Sequence, residues 1–337
     1  MARERAVVVG AGGISGAWFG PLEKERVEVV GVVELDLERA RQRLAKHNLS
    51  CDVSTDLAGL LARARPDFVI DLTVPEAHCS VTCTALKAGC PVIGEKPLAA
   101  TLAQARRMCR TSAETGKLYM VSQSRRWDPK HDSVRRTLSA GRLGRLTTIN
   151  CDFYIGAHFG GFRDEMPSPL ILDMAIHHFD LARFMTGADP VAVYARQFNP
   201  RGSWYKGDAA ASCIFEMTDG IVFTYSGSWC AEGCHTSWNG DWRVIGERGT
   251  LLYDHDNDPH GEVLAGKGGF HLPKKPLKVA PSPLKHRGQH GALRELLAYL
   301  RTGRTPQCTC DDNIKSLAMV LAAIESSKKA RRVEVNW

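Results

Sequence analysis

No stretch of this sequence holds the roughly eighteen or more consecutive apolar residues that a membrane-spanning helix needs. Its longest apolar runs, such as residues 6–9, are strand-sized. The N-terminus, Met1-Ala2-Arg3-Glu4-Arg5, lacks the apolar core and small-residue cleavage site of a secretory signal and leads directly into a strand pattern. Both absences create the expectation of a soluble, cytoplasmic protein. There is no low-complexity tract and no internal period, which argues against disorder and against a solenoid. Cysteine is plentiful, but the eleven are an odd number, and the close pairs Cys79/Cys83, Cys230/Cys234 and Cys308/Cys310 lack the paired C-x-x-C spacing of zinc sites. They read mostly as buried thiols in a reducing compartment, and no metal is expected. The formal charge of +7 is dispersed, and its densest cluster, Lys328-Lys329 with Arg331-Arg332, comes without a helix-turn-helix, finger or aromatic stacking signature. Neither nucleic acid nor membrane is expected as a partner, while anionic ligands are favoured.

What is present is an ordinary globular composition, 44% hydrophobic and 24% charged, in a chain of 337 residues that exceeds the usual capacity of one core. Two domains are the natural reading. The first 125 or so residues alternate strand-like runs at 6–10, 27–34, 67–73, 91–94 and 117–122 with helical patterns near 36–47, 76–88 and 101–115, with Gly89 and Gly116 placed to close two of the helices. That alternation predicts a doubly wound parallel sheet, a Rossmann domain over residues 1–125. Beyond Trp127-Asp128-Pro129 the runs lengthen and take period-two character at 146–154, 192–198, 212–217 and 221–228, with helices near 170–185, 291–300 and 312–330. Residues 126–337 are therefore expected to form a second α/β domain on a large, mostly antiparallel sheet. The stretch 256–288, rich in Gly, Pro, His and Lys, reads as loop, either disordered or covering a site.

The clearest motif is Val7-Val8-Val9-Gly10-Ala11-Gly12-Gly13-Ile14-Ser15-Gly16, an apolar strand entering a glycine-rich turn and a helix. Gly10 permits the tight turn, Gly12 lets backbone amides approach a pyrophosphate, and the helix start offers unpaired N–H groups to that anion. Ser15 stands where the fingerprint has its third glycine, Gly16 follows one residue late, and Pro21 falls inside the expected helix. Glu34, about two dozen residues after Gly10, ends the second strand where a carboxylate can accept both ribose hydroxyls. Leu35 supplies no cation for a 2'-phosphate, so NAD is favoured over NADP. The bland alternatives are a plain strand-turn-helix and a solvent-facing strand end.

Two further features carry chemistry. Gly94-Glu95-Lys96-Pro97 follows the fifth strand at the sheet edge where open α/β folds bind ligands, and a partly desolvated lysine beside a cationic nicotinamide is suited to shuttle a hydroxyl proton. In Leu172-Asp173-Met174-Ala175-Ile176-His177-His178-Phe179-Asp180, Asp173, His177 and Asp180 lie at i, i+4 and i+7 and share one face of a helix packed on a core, so a carboxylate can orient the His177 imidazole. His178 points away and reads as a packed histidine.

The glycine turn, Thr73-Val74-Pro75-Glu76-Ala77-His78, Ala88-Gly89 before Glu95-Lys96-Pro97, Arg125-Arg126-Trp127-Asp128-Pro129, and Asp173 with His177 occur in an order and spacing that resembles the Gfo/Idh/MocA family of glucose-fructose oxidoreductase and inositol dehydrogenase relatives, over nearly the whole chain. The resemblance implies a Rossmann domain followed by an α/β domain whose open antiparallel sheet mediates homodimers or homotetramers. It implies Lys96, Asp173 and His177 as the catalytic set. Cofactor contacts are implied at Gly10, Gly12, Gly13, Ile14, Glu34, Thr73, Pro75, His78, Glu95, Lys96 and Arg126. It also implies oxidation of a secondary alcohol of a sugar or cyclitol, with hydride passing to nicotinamide C4.

The expected substrate is a small polyhydroxylated molecule held between the domains, with Tyr154, His158, Arg163, Trp242 and His290 as candidate contacts because polar and aromatic groups suit such ligands, Trp242 and Tyr154 suiting a core equally well. Two alternatives stay open within enzymes: a ketosugar reductase, or a redox-neutral glycosidase or epimerase that recycles its own NAD. A third, from another class, is a dinucleotide-sensing regulator without catalysis.

Overall fold

The computed structural model describes residues 3–337, which divide into two compact units. The first runs from the N-terminus to Trp127 and takes in Lys285–Ile314; the second comprises Asp128–Leu284 and Lys315–Trp337.

In the first unit β1 (Arg5–Val9), α1 (Gly16–Lys24), β2 (Glu28–Val33), α2 (Leu37–Lys46), β3 (Asp52–Ser54), α3 (Leu57–Ala64), β4 (Phe68–Asp71), α4 (Pro75–Lys87), β5 (Val92–Glu95), α5 (Leu102–Thr115) and β6 (Tyr119–Ser122) follow one another. The six strands make one parallel sheet in the order β3-β2-β1-β4-β5-β6. Chain order reverses on either side of β1, which creates the crevice at strand C-termini where such sheets bind ligands. β1 and β4 are covered on both faces, which is why their sequences are nearly unbroken apolar runs. Helix starts follow local chemistry: Asp36 Oδ1 accepts from the N–H groups of Glu38 and Arg39 at 3.1 Å, and Thr101 Oγ1 from Gln104 N–H at 3.2 Å. Gly116, at φ +64°, ends α5 in the left-handed region.

The second unit opens with α6 (Pro129–Ser139), capped by Asp128, and continues through β7 (Leu146–Tyr154), the short α7 (Phe162–Glu165) and α8 (Ile176–Thr186). Then come β8 (Pro190–Phe198), β9 (Ala210–Met217), β10 (Val222–Ser228), β11 (Asp241–Gly246), β12 (Gly249–Tyr253), β13 (His260–Leu264) and β14 (Lys274–Pro276). The chain closes with α9 (Gly288–Thr302), α10 (Cys310–Lys329) and β15 (Val333–Glu334). The sheet runs β14-β13-β12-β11-β7-β10-β9-β8-β15 and is antiparallel except for the β7/β10 pair. Burial alternates along β8, β9 and β10, so one face is packed and the other exposed. On the packed face Phe179 meets Phe215 edge-on at 4.8 Å and Tyr225 at 5.3 Å, and Trp242 stacks on Phe223 at 6.2 Å.

Three expectations are corrected. Residues 256–288 are not loop throughout, since β13 pairs with β12 and β14 with β13. A single cut at 125/126 does not divide the chain, because 285–314 returns to the first unit. The short polar β3 with α3, the capped α6 and the strands β11 and β12 add elements that periodicity did not reveal.

Candidate active site

Gly10 sits at φ +96°, and a Cβ there would lie 2.8 Å from the Leu72 carbonyl oxygen, so neither the backbone angle nor the space admits a side chain. Its N–H donates to Val33 O at 2.8 Å, tying the turn to β2. At Gly12 and Gly13, by contrast, a Cβ would meet nothing within 4 Å, leaving the turn open on its outer side. Ser15, fully buried, turns its hydroxyl back to Gly12 O at 2.7 Å and so fills the third fingerprint position from within. No side chain caps the helical start that follows; Ser15 and Gly16 N–H bond back to Gly12 and Gly13 O, and the N–H groups of Gly13 and Ile14 in its first turn are the ones placed to meet an anion.

Glu34 closes this turn from β2. Its carboxylate accepts the Ala11 N–H at 2.8 Å and the Asp36 N–H at 3.2 Å, and Arg39 stands 3.8 Å away. An ionised carboxylate offers about four acceptor positions, so capacity remains for ribose hydroxyls. Arg43, which the sequence did not mark, reaches from α2 to donate to Gly12 O at 3.0 Å. Around the same strand ends Ile14, Leu35 and Val74 are exposed at 40%, 87% and 62%, apolar surface of the kind that planar rings cover.

The E-K-P turn is held from below. Glu95 is buried and accepts from the Trp18 indole N–H at 3.0 Å and from Gln289 at 3.3 Å; burial pushes its carboxyl pKa up, and these hydrogen bonds temper the rise. His78, also buried, sets one ring nitrogen 3.0 Å from Pro97 O and the other 3.0 Å from Thr73 O, linking this turn to the one after β4. Thr73 itself is fixed by Asp71, which receives its hydroxyl at 2.6 Å. Lys96 is half-buried at the end of β5, and Pro75 begins α4. Arg126 is buried and donates to Gln307 O at 2.8 Å and pairs with Asp312 at 2.6 Å. Of the expected cofactor contacts, Gly12, Gly13, Ile14 and Glu34 line the open turn, whereas Thr73, His78, Glu95 and Arg126 make framework contacts within the unit.

In the second unit, residues Leu170–Ala175 form a π-helical turn that runs into α8. Such turns recur at functional sites, and this one holds Asp173 ahead of the regular helix that carries His177 and Asp180. Asp180 is buried and accepts from Ser316 Oγ at 2.7 Å. Asp173 Oδ2 is paired with Arg163 Nε at 2.6 Å, and the Arg163 guanidinium lies over the rings of Phe159 at 4.9 Å and Phe162 at 4.7 Å. His177 is half-buried, while His178 is fully buried against Phe153 and Tyr225, as a packed histidine.

The five substrate candidates separate. Arg163 joins Asp173, and His158 binds Glu232 at 2.7 Å while stacking on Trp204 at 3.7 Å, both partners unsignalled by local sequence. Tyr154, at the end of β7, is half-buried, and burial with Asp152 raises its hydroxyl pKa. Trp242 is 2% exposed and donates to Asn239 O, which makes it a core residue. His290 belongs to the first unit, on α9, where it meets Glu25 at 2.7 Å.

Comparison with known proteins fits this division. Residues 4–123 match the model for the NAD-binding Rossmann fold of the GFO/IDH/MocA oxidoreductase family, and residues 131–252 match the model for the GFO/IDH/MocA C-terminal domain. The chain belongs to the Gfo/Idh/MocA family. As a Gfo/Idh/MocA protein it is an NAD-binding oxidoreductase, and the open turn over Gly12 and Gly13, the uncapped helix start and the Glu34 carboxylate fit that cofactor. Among its relatives are D-apiose dehydrogenase of Paraburkholderia graminis, 27% identical over 91% of this chain and 83% of the relative. Another is 1,5-anhydro-D-fructose reductase of Ensifer adhaerens, 25% identical over 97% of both chains. The fold is also that of an Agrobacterium radiobacter oxidoreductase solved with NAD+, L-tartaric acid and magnesium, with a TM-score of 0.86 and 22% identity over 99% of each chain.

Proposed function

We propose that this Gfo/Idh/MocA protein is an NAD-dependent dehydrogenase that oxidises a secondary alcohol of a sugar, sugar derivative or cyclitol, with Lys96, Asp173 and His177 as its catalytic set. The observation that carries the reading is the E-K-P turn. Lys96 stands half-buried between two residues fixed from below, Glu95 by Trp18 and Gln289 and Pro97 by His78, at the end of β5 in the NAD-binding unit. A base on so fixed a support needs little reorganisation to act.

NAD, when bound, supplies nicotinamide C4 as the acceptor of the substrate's hydride. The proton of the reacting hydroxyl passes to a ring nitrogen of His177 or to Lys96 Nζ. Asp173 holds the imidazole and balances the charge that gathers on it, and Arg163, bonded to Asp173 Oδ2, orients the carboxylate in turn. The exposed aromatics Phe159 and Phe162 beside Arg163 suit the apolar faces of a polyhydroxylated ring. The exposed face of the nine-stranded sheet belongs, in this reading, to a homodimer or homotetramer.

The relative that bears the name of a reductase supports a second reading, reduction of a ketosugar by the same residues in reverse. Absorbance at the reduced-nicotinamide band tests both directions against panels of cyclitols, aldoses, sugar acids and ketosugars. Growth of the band with NAD and one alcohol is the expected result. Lys96→Ala is expected to lower kcat by about 10²- to 10⁴-fold while the NAD dissociation constant stays within about threefold. An unchanged kcat in that variant overturns the assignment of Lys96. Loss of the band from NADH with a ketosugar alone favours the reductase, and tightly bound NAD without turnover of any panel member favours internal recycling or a sensor.

A further inference from the structure

Away from the nucleotide turn, the first unit brings one cysteine together with two metal-ligating side chains about two hundred residues further along the chain. Cys109 is on α5, and Cys310 and Asp311 open α10. The junction is set by the sheet. Val121 N–H donates to Cys308 O at 3.0 Å, and Met120 bridges Thr309, so residues 308–310 run along the outer edge of β6 and deliver Cys310 against α5. The Sγ atoms of Cys109 and Cys310 and a carboxylate oxygen of Asp311 all lie within 4.8 Å of one another. Among the described residues this is the one group of three His, Cys, Asp or Glu side chains so disposed.

We propose that Cys109, Cys310 and Asp311 form a binding site for a soft divalent cation of the zinc class, separate from the NAD turn and not a participant in hydride transfer. The spacing suits a tetrahedral ion: bonds of about 2.3 Å to sulfur and about 2.0–2.2 Å to oxygen put ligand atoms roughly 3.5–3.8 Å apart. The donor set selects the metal, because two thiolates favour zinc over magnesium or calcium. Burial is graded across the site, with Cys310 buried, Cys109 half-buried and Asp311 exposed, which leaves the fourth position to solvent on the Asp311 side. Metal binding takes the sulfurs as thiolates, so protons leave to solvent as the ion is bound, and the Asp311 carboxylate supplies the third bond.

The test is equilibrium dialysis of the untagged full chain against zinc under a non-chelating phosphine reductant, read by metal analysis and free-thiol titration. The expected result is one zinc per chain, about two protons released per zinc at neutral pH, and both thiols shielded from the thiol reagent. Cys310 is buried, and its substitution endangers the fold, so the half-exposed Cys109→Ser is the deciding variant. It is expected to bind zinc at least about a hundredfold more weakly and Asp311→Asn at least about tenfold, both with NAD affinity and circular dichroism unchanged. Two outcomes overturn the site: a wild-type chain that holds no more zinc than Cys109→Ser, or zinc uptake that leaves both thiols as open to the thiol reagent as in the metal-free chain.

Discussion

Gly10 and Gly12 are two residues apart, yet the structure gives them different work. Alanine at position 10 meets both the strain of φ +96° and the Leu72 carbonyl at 2.8 Å. Gly10→Ala is therefore expected to destabilise the protein by at least about 2 kcal/mol, read as a lowered urea midpoint. Alanine at position 12 enters open space, where its methyl group meets no protein atom and would stand in the way of a pyrophosphate bound at the turn as proposed. Gly12→Ala should keep the urea midpoint within about 0.5 kcal/mol of wild type and weaken NAD binding at least about tenfold. Equal losses of stability in the two variants contradict this account of the turn. The same contrast shows what residue identity conveys. Glycine spacing and Glu34 are legible because backbone permissiveness and carboxylate chemistry belong to the residues themselves. Trp242 is not, since an indole suits a core and a binding site equally well, and only its 2% exposure decides.

Elements were legible where their signals are local. Alternation, caps and buried runs mark β1, α2, α5 and β7 to β10, because each signal lies within a few residues of the element it defines. The polar β3 and the Gly- and Pro-flanked β13 and β14 have little burial to pattern them, and the π turn at Leu170–Ala175 has no sequence mark. The place of α9 is fixed by partners far away in sequence. One of them is Glu4, whose two carboxylate oxygens receive the Arg301 guanidinium at 2.6 and 3.0 Å. Hydrogen bonding to Arg301 holds the Glu4 pKa below its ordinary value, against the effect of burial. A depressed folded-state pKa gives stability that is present above the unfolded value, near 4.3, and is lost as the pH falls through the folded one. Arg301 is 44% exposed, so Glu4→Gln is expected to cost no more than about 1 kcal/mol at pH 7. The gap between the two urea midpoints should narrow as the pH is lowered below about 4. A gap that widens on acidification contradicts the pairing.

At the scale of the whole molecule, the second unit carries its apolar surplus on the outer face of the sheet. Tyr194 pairs across to Ile214, and Ile214 to Thr224, with Tyr194 and Ile214 each about half exposed and Phe198 and Val222 exposed nearby. Exposed apolar side chains gathered on one sheet face are of the kind that interfaces between copies cover. Light scattering is expected to give the mass of a dimer or tetramer for the wild type, and that of one chain for Tyr194→Glu combined with Ile214→Glu. A wild type already at the mass of one chain removes the face from consideration. No helix of the described residues is long and apolar enough to cross a membrane.

The return of residues 285–314 to the first unit also governs how the protein can be made. When Trp127 leaves the ribosome, Glu25 has no His290, Glu95 no Gln289, Arg126 no Asp312, and Glu4 no Arg301. At about 5–20 residues per second the nascent Rossmann half waits roughly 10 to 40 seconds for those partners, with the contact surface of α9 uncovered. The second unit's large sheet is synthesised during that interval, so the first unit is completed only after most of the chain has been translated.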